Sequence, residues 1–235
     1  MQIAMSPTTL TDGVYESVKA LVMDHALAPG ERVNIDALAR RLAVSPTPVR
    51  EALARLEADG LVRRRPLAGY TTTPLLSRAQ FEELFEMRLL LETATARRAA
   101  AAGLAAAARE RLRAAADLPG LDAGEHGFAS IAAFTAADAR FHHLLAELAG
   151  NGMLHEAVVR LRSHLHLFRL HFPTSHLGTS GKEHHRIVTA VAAGDPDAAE
   201  TAMRGHLRGA RERHLHAFGE HADRSTWLSF GSGAE

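Results

Sequence analysis

The chain contains no cysteine. That excludes a disulfide framework and any metal site built on thiolates. Aromatic residues are scarce, at 5% of the chain with a single tryptophan, which disfavours a β-sandwich and favours helices packed through small aliphatic side chains. No apolar run reaches the roughly 18 residues that a membrane-spanning helix needs. The N-terminus lacks the apolar core of a signal peptide. The sequence therefore reads as a soluble, cytoplasmic protein with no membrane partner. A net charge is also missing: 27 lysines and arginines balance 27 acidic residues. Any attraction for a polyanion must come from local clustering of charge.

What is present is a globular composition, 46% hydrophobic and 23% charged over 235 residues, long enough for two domains. Between Arg40 and Arg65 lie Arg40, Arg41, Arg50, Arg55, Arg63, Arg64 and Arg65, against Glu51, Glu57 and Asp59. Within that segment, Ser45-Pro46-Thr47-Pro48 precedes Val49, Ala52, Leu53 and Leu56 at helical spacing. Ser45 is expected to cap the helix with its side chain, with a proline in the first turn and Gly60 stopping it. Ahead of it, Thr11 is expected to cap a helix to about Leu27, and Asn34 a second one, Ile35 to Leu42. Behind it, residues 63–74 read as a two-stranded hairpin. Three helices and a wing make a winged helix-turn-helix, residues 1–76, whose third helix would enter a DNA major groove.

The run Pro29-Gly30-Glu31-Arg32, Leu38-Ala39, Ser45 to Leu53, Leu56-Glu57, Gly60-Leu61-Val62 and Gly69 resembles the DNA-binding domain of the GntR family of bacterial transcriptional regulators. The resemblance implies that Thr47 and Arg50 contact phosphates or bases and that Ser45 touches the DNA backbone. It also implies that Gly69 lets the wing approach the duplex. Arg55, Arg63 and Arg64 complete the expected DNA-binding set, the wing arginines as phosphate contacts. Pro46 stands where the family often has an arginine.

Residues 77–220 read as an all-helical bundle of about six helices, and residues 221–235 as a polar tail. Ser77 and Gln80 have capping-box spacing ahead of a long helix, Phe81 to about Ala102. Helices are expected from Leu104 to Asp117 and from Phe128 to Leu148, with a loop over 118–127 between them. A continuous helix follows from Met153 to about His171, stopped by Pro173. Ser180 to Glu183 reads as a second capping box opening a helix to Ala193. Asp195-Pro196 opens the last helix, which runs to about Phe218.

Fifteen histidines crowd this half. Asp138 and His142, four apart, share a helix face. His184 and His206 come from two further helices, so one carboxylate and three imidazoles could converge inside the bundle. Such N/O donors suit a divalent first-row metal. An Asp and a His four apart also fit a surface hydrogen-bonded pair. His164, His166 and His171 form a competing cluster, and His214 and His216 read as surface.

Glu86-Met87-Arg88, Leu91-Glu92, Asp138-x-x-x-His142 before Ala149-Gly150-Asn151, Glu183-His184 and Ala202 to Leu207 resemble the FCD effector domain of the FadR subfamily of GntR regulators. The resemblance implies that Asp138, His142, His184 and His206 bind a metal, zinc first, with nickel or manganese as alternatives. It further implies a small organic-acid effector on that metal, for which Arg88 is the candidate second contact. The expected protein is a homodimer on a two-fold symmetric DNA operator, more readily a repressor than an activator, and not an enzyme. Two alternatives stand beside it: a metal-dependent enzyme acting on small hydroxy acids, and a dimeric DNA-binding protein without an effector.

Overall fold

The computed structural model describes residues 10–66, 69–119, 128–170 and 177–228. The expected loop over 120–127, the stop at Pro173, the wing tip Leu67-Ala68 and residues 1–9 lie outside them. The chain forms two compact units, Met1–Leu75 and Leu76–Glu235.

In the first unit, α1 spans Leu10–Met23, α2 Ile35–Arg41 and α3 Pro46–Ala58. Val14, Val18 and Val22 of α1 meet the stripe Val49, Ala52, Leu53 and Leu56 of α3, all buried. This is the 3.6-residue periodicity read from the sequence. Thr11 lies inside α1 rather than capping it, and its hydroxyl donates to Glu51 at 3.2 Å. α1 also stops short of Leu27, with His25 in left-handed backbone (φ 63°) just past its end. Asn34 caps α2, accepting from the Ala37 amide at 2.9 Å. Ser45 occupies the cap position of α3, but its side chain makes no capping bond. The two prolines in the first turn remove amide donors that such a cap would satisfy.

The wing strands are β2, Val62–Arg65, and β3, Gly69–Thr72. A third strand, β1 (Arg32–Val33), pairs with β3 on its other side, giving the order β1-β3-β2. Two residues are too few to show an alternation in sequence. At the root of the sheet, Thr72 Oγ1 donates to the Ala28 carbonyl at 2.5 Å and Thr73 Oγ1 to the Gly60 carbonyl at 2.7 Å.

The second unit is all helix among its described residues: α4 Arg78–Ala101, α5 Ala106–Ala116, α6 Phe128–Leu148, α7 Gly152–Leu161, α8 Ser163–Leu170, α9 Leu177–Ala193 and α10 Pro196–Leu228. The capping box at Ser77 and Gln80 forms in both directions. Asp195 Oδ1 accepts from the Asp197 and Ala198 amides at the start of α10. Its core packs Ala96, Ala99 and Ala100 of α4 against Phe141, Leu145, Ile187, Met203 and Leu207. Small side chains on α4 allow that close approach.

Three boundaries differ from the sequence reading. The expected helix from Met153 to His171 is two helices, because Arg162 adopts left-handed backbone (φ 48°). That turn costs about 1–2 kcal/mol for a residue with a Cβ, and it re-aims α8 so that Leu167, Phe168 and Leu170 are buried. Ser180 to Glu183 is not a helix start. α9 begins at Leu177, and Arg213 draws on both Ser180 and Glu183 instead. α10 continues past Phe218 to Leu228, since no proline interrupts that stretch.

Candidate metal centre and nucleic-acid interface

Asp138 and His142 sit one turn apart on α6. His184 lies mid-way along α9, not in a first turn, and His206 lies on α10. One ligating atom from each of the four comes within 4.8 Å of all the others. Asp138 Oδ1 is 3.4 Å from His184 Nε2, and Asp138 Oδ2 is 3.9 Å from His142 Nε2. His142 Nε2 and His206 Nε2 are 3.3 Å apart. The three imidazoles are buried and the carboxylate is partly exposed. Phe141 stacks on His184 at 3.9 Å between ring centres, fixing its plane.

The opposite edges of two rings meet carboxylates. His206 Nδ1 is 2.8 Å from Glu183 Oε2. His142 Nδ1 is 2.6 Å from Glu92 Oε2, a charge contact off the ideal N–H direction. A carboxylate accepts only, so each Nδ1 carries the hydrogen and each Nε2 lone pair points inward. Neither nitrogen of His184 has a formed hydrogen bond among the described residues. Burial, together with His206 and His142, pushes the His184 pKa well below that of a free imidazole. Burial also lowers His206, against the pull of Glu183. Neutral rings with converging lone pairs repel one another unless a cation lies between them. The donor set, three imidazoles and one carboxylate, is of the kind that holds a divalent first-row ion.

Each of these carboxylates is in turn gripped by an arginine. Arg88 Nε donates to Glu92 Oε1 at 2.6 Å, and both side chains are buried. Arg213 donates to both oxygens of Glu183, at 3.0 and 2.9 Å. Burial alone would raise both glutamates, but Arg88 with His142, and His206 with Arg213, hold them well below the usual carboxylate range. Arg88, expected to face an effector, thus has its Nε and Nη2 turned to Glu92. The roles of Glu92 and Glu183 escaped the sequence reading. The available signal was the Arg88/Glu92 spacing of four inside an otherwise apolar stripe.

The competing histidines do not form such a cluster among the described residues. His164 meets His143 edge-on at 5.4 Å, and burial lowers its pKa to about 4. The side chains of His171 and His216 lie outside the described residues. Asn151 caps α7, accepting from the Leu154 amide at 3.1 Å.

In the first unit, Ser45, Thr47 and Arg50 are exposed at the N-terminal end of α3, and Arg63 and Arg64 are exposed on β2. Gly69, at the base of the wing tip, has φ +80°, a conformation that a side chain disfavours. Arg55 is placed differently. Its guanidinium donates to Asp12 of α1 at 2.8 Å and lies over the Tyr15 ring, 4.2 Å from its centre. It therefore ties α3 to α1.

The family profile described as bacterial regulatory proteins, gntR family, matches residues 10–71, and the FCD domain profile matches residues 83–209. The chain belongs to the GntR family of transcriptional regulators and carries an FCD domain. The HTH-type transcriptional regulator LutR of Bacillus subtilis (strain 168) is 30% identical over 80% of this chain and 93% of its own. The HTH-type transcriptional repressor NanR of Cronobacter sakazakii is 30% identical over 84% of this chain and 82% of its own. A putative GntR transcriptional regulator from Rhodococcus sp. RHA1 shares the fold, with a TM-score of 0.62 at 23% identity over 88% of this chain and 98% of that one. The family and these relatives are regulators, not enzymes. Among the described residues, no helix is long and apolar enough to cross a membrane.

Proposed function

We propose that this GntR regulator senses a small organic acid at a divalent-metal site formed by Asp138, His142, His184 and His206, and that the sensing controls its grip on an operator. The observation that carries this reading is the pair of inward Nε2 atoms of His142 and His206 beside the unsatisfied His184. A bound cation, zinc, nickel or manganese, would supply a Lewis-acidic centre that attracts carboxylates. The protein's own part is to keep the rings neutral and aimed. Glu92 and Glu183 fix the tautomers, and Arg88 and Arg213 fix the glutamates. Thr47 and Arg50 would read the major groove while Arg63, Arg64 and the wing glycine Gly69 bear on the backbone. Ser45, with its hydroxyl uncommitted to capping, joins the backbone contacts.

The working unit is a homodimer presenting two such heads to a two-fold symmetric operator. An acid that binds one arrangement of the heads more tightly shifts the population by its differential affinity. A coupling of about 1–3 kcal/mol changes occupancy roughly 5- to 150-fold. Repression is the proposed sign, by likeness to the relative named a repressor.

The test is elemental analysis of the purified chain and of His184→Ala, followed by a thermal-shift screen of small carboxylates on metal-loaded protein. A stoichiometric ion in the wild type, its loss in the variant and a carboxylate that both raises the melting temperature and alters operator binding are expected. An ion retained by the variant at wild-type stoichiometry overturns the site. An ion-free wild type that binds DNA leaves a dimeric DNA-binding protein without this sensor.

A further inference from the structure

The outer face of α4 carries Glu83, Met87, Leu90, Ala94, Arg97 and Ala101, at alternating spacings of four and three. None of the six is buried. Met87 is 42% and Leu90 62% exposed, two of the four large hydrophobic side chains this open among the described residues. The opposite face of the same helix is already filled, by Phe81, Phe85, Ala96 and Ala99 and by the Arg88–Glu92 pair. α4 therefore has an apolar row on each side, and only one of them meets its own chain. Four-three spacing is the pattern of a helix that packs lengthwise against another helix. Beside Leu90 runs an open groove of about 410 Å³, lined by Phe85, Glu86, Leu89 and Arg211 among others, with room for an apolar side chain from outside.

The charges on this face select the partner. Glu83 and Glu86, at the N-terminal end of the row, make no ion pair among the described residues. Arg97, at the other end, is exposed, and its planar guanidinium reaches Asp197 and Glu200 with one of its nitrogens. Leu90 is the midpoint of Glu83 and Arg97 in the sequence. A second copy laid antiparallel, with a two-fold axis at Leu90, sets Glu83 of each copy opposite Arg97 of the other and Leu90 against Leu90. A parallel copy would set glutamate against glutamate. A two-fold interface must be self-complementary, and this face is so in one orientation.

We propose that this face of α4 is the seam of the homodimer, two copies packing antiparallel about Leu90. The inference rests on the dimer of the proposed function and gives it an address. It also places the seam back to back with Arg88 and Glu92, so a shift of that pair on ion or acid binding acts on the helix that sets the distance between the two copies.

The test uses the full chain. It holds no cysteine, so Leu90→Cys introduces one thiol per copy, on the proposed axis. Mild oxidation is expected to convert it to a covalent dimer at low micromolar concentration, while Glu110→Cys on α5 stays uncrosslinked. Leu90→Glu sets two like charges on the axis and is expected to halve the mass measured by light scattering, with helical content and metal content unchanged. Retained helicity and metal show that this variant still folds. A dimeric wild type with a Leu90→Cys that fails to crosslink, or a Leu90→Glu that stays dimeric, overturns the seam and leaves the metal and operator assays untouched. A wild type that is monomeric at every concentration overturns it as well.

Discussion

His142 and His206 face each other through their Nε2 atoms at 3.3 Å, and each turns its Nδ1 to a glutamate. The carboxylates thus decide which nitrogen is free. Replacing Glu183 by Gln removes the charge that holds the His206 tautomer while keeping the side chain's shape. We expect metal affinity to fall about 10- to 100-fold with the helical content unchanged. A chelator-competition titration checks it, and an unchanged affinity would show that His206 needs no such partner.

Arg88 and Glu92 form a buried pair. Removing one partner leaves a buried charge uncompensated, which costs about 3–5 kcal/mol. Arg88→Ala should therefore lower the stability of the helical unit by that order, read from its urea midpoint. A loss below about 1 kcal/mol would mean that water reaches Glu92 freely.

Arg50→Ala should weaken binding to the specific operator by about 1–3 kcal/mol while leaving the circular dichroism of the chain intact. Arg63→Ala should act differently. It should weaken binding to all sequences alike and lower the slope of log affinity against log salt by about one. Gel shifts at several salt concentrations separate the two. A sequence-selective effect at Arg63 would move it from the backbone to the bases.

The Tyr15 hydroxyl donates to Asp59 Oδ2 at 2.5 Å. Burial first, and then Asp59, raise its pKa above the ordinary 10. The folded state thus holds this proton more tightly than the unfolded chain. The stability it brings is full below about pH 10 and declines as the pH rises beyond that value. Tyr15→Phe should cost about 1 kcal/mol near neutrality and flatten the loss of stability between pH 9 and 11. Parallel melting curves for the two proteins across that range would disprove the linkage.

The parts legible in the sequence were those set by period and residue type. The stripe from Val49 to Leu56 and the fourfold spacing of Asp138 and His142 need only helix geometry, and both appear as read. Joining His184 and His206 to that pair took the family resemblance, because helical spacing says nothing about which helices meet. Glu183 shows how one pattern can serve two ends. Ser180-x-x-Glu183 has cap spacing, but the carboxylate is used by His206 and Arg213 on another helix. Arg162 carries no local signal for a left-handed turn; the burial of Leu167 and Phe168 beyond it compensates. Arg55 looked like a DNA contact by its place on α3, and only the position of Asp12 and Tyr15 shows where it goes.

The two threonines at the foot of β3 have a consequence for selectivity. Thr72 and Thr73 button the strand to the Ala28 and Gly60 carbonyls on either side, so the wing cannot swing apart from the reading helix. The span from Arg50 to Arg64 then works as a caliper of set opening. A duplex whose grooves do not match it must itself deform, at a cost that depends on its stiffness. Operators would be sorted by how readily they bend as well as by the bases they display.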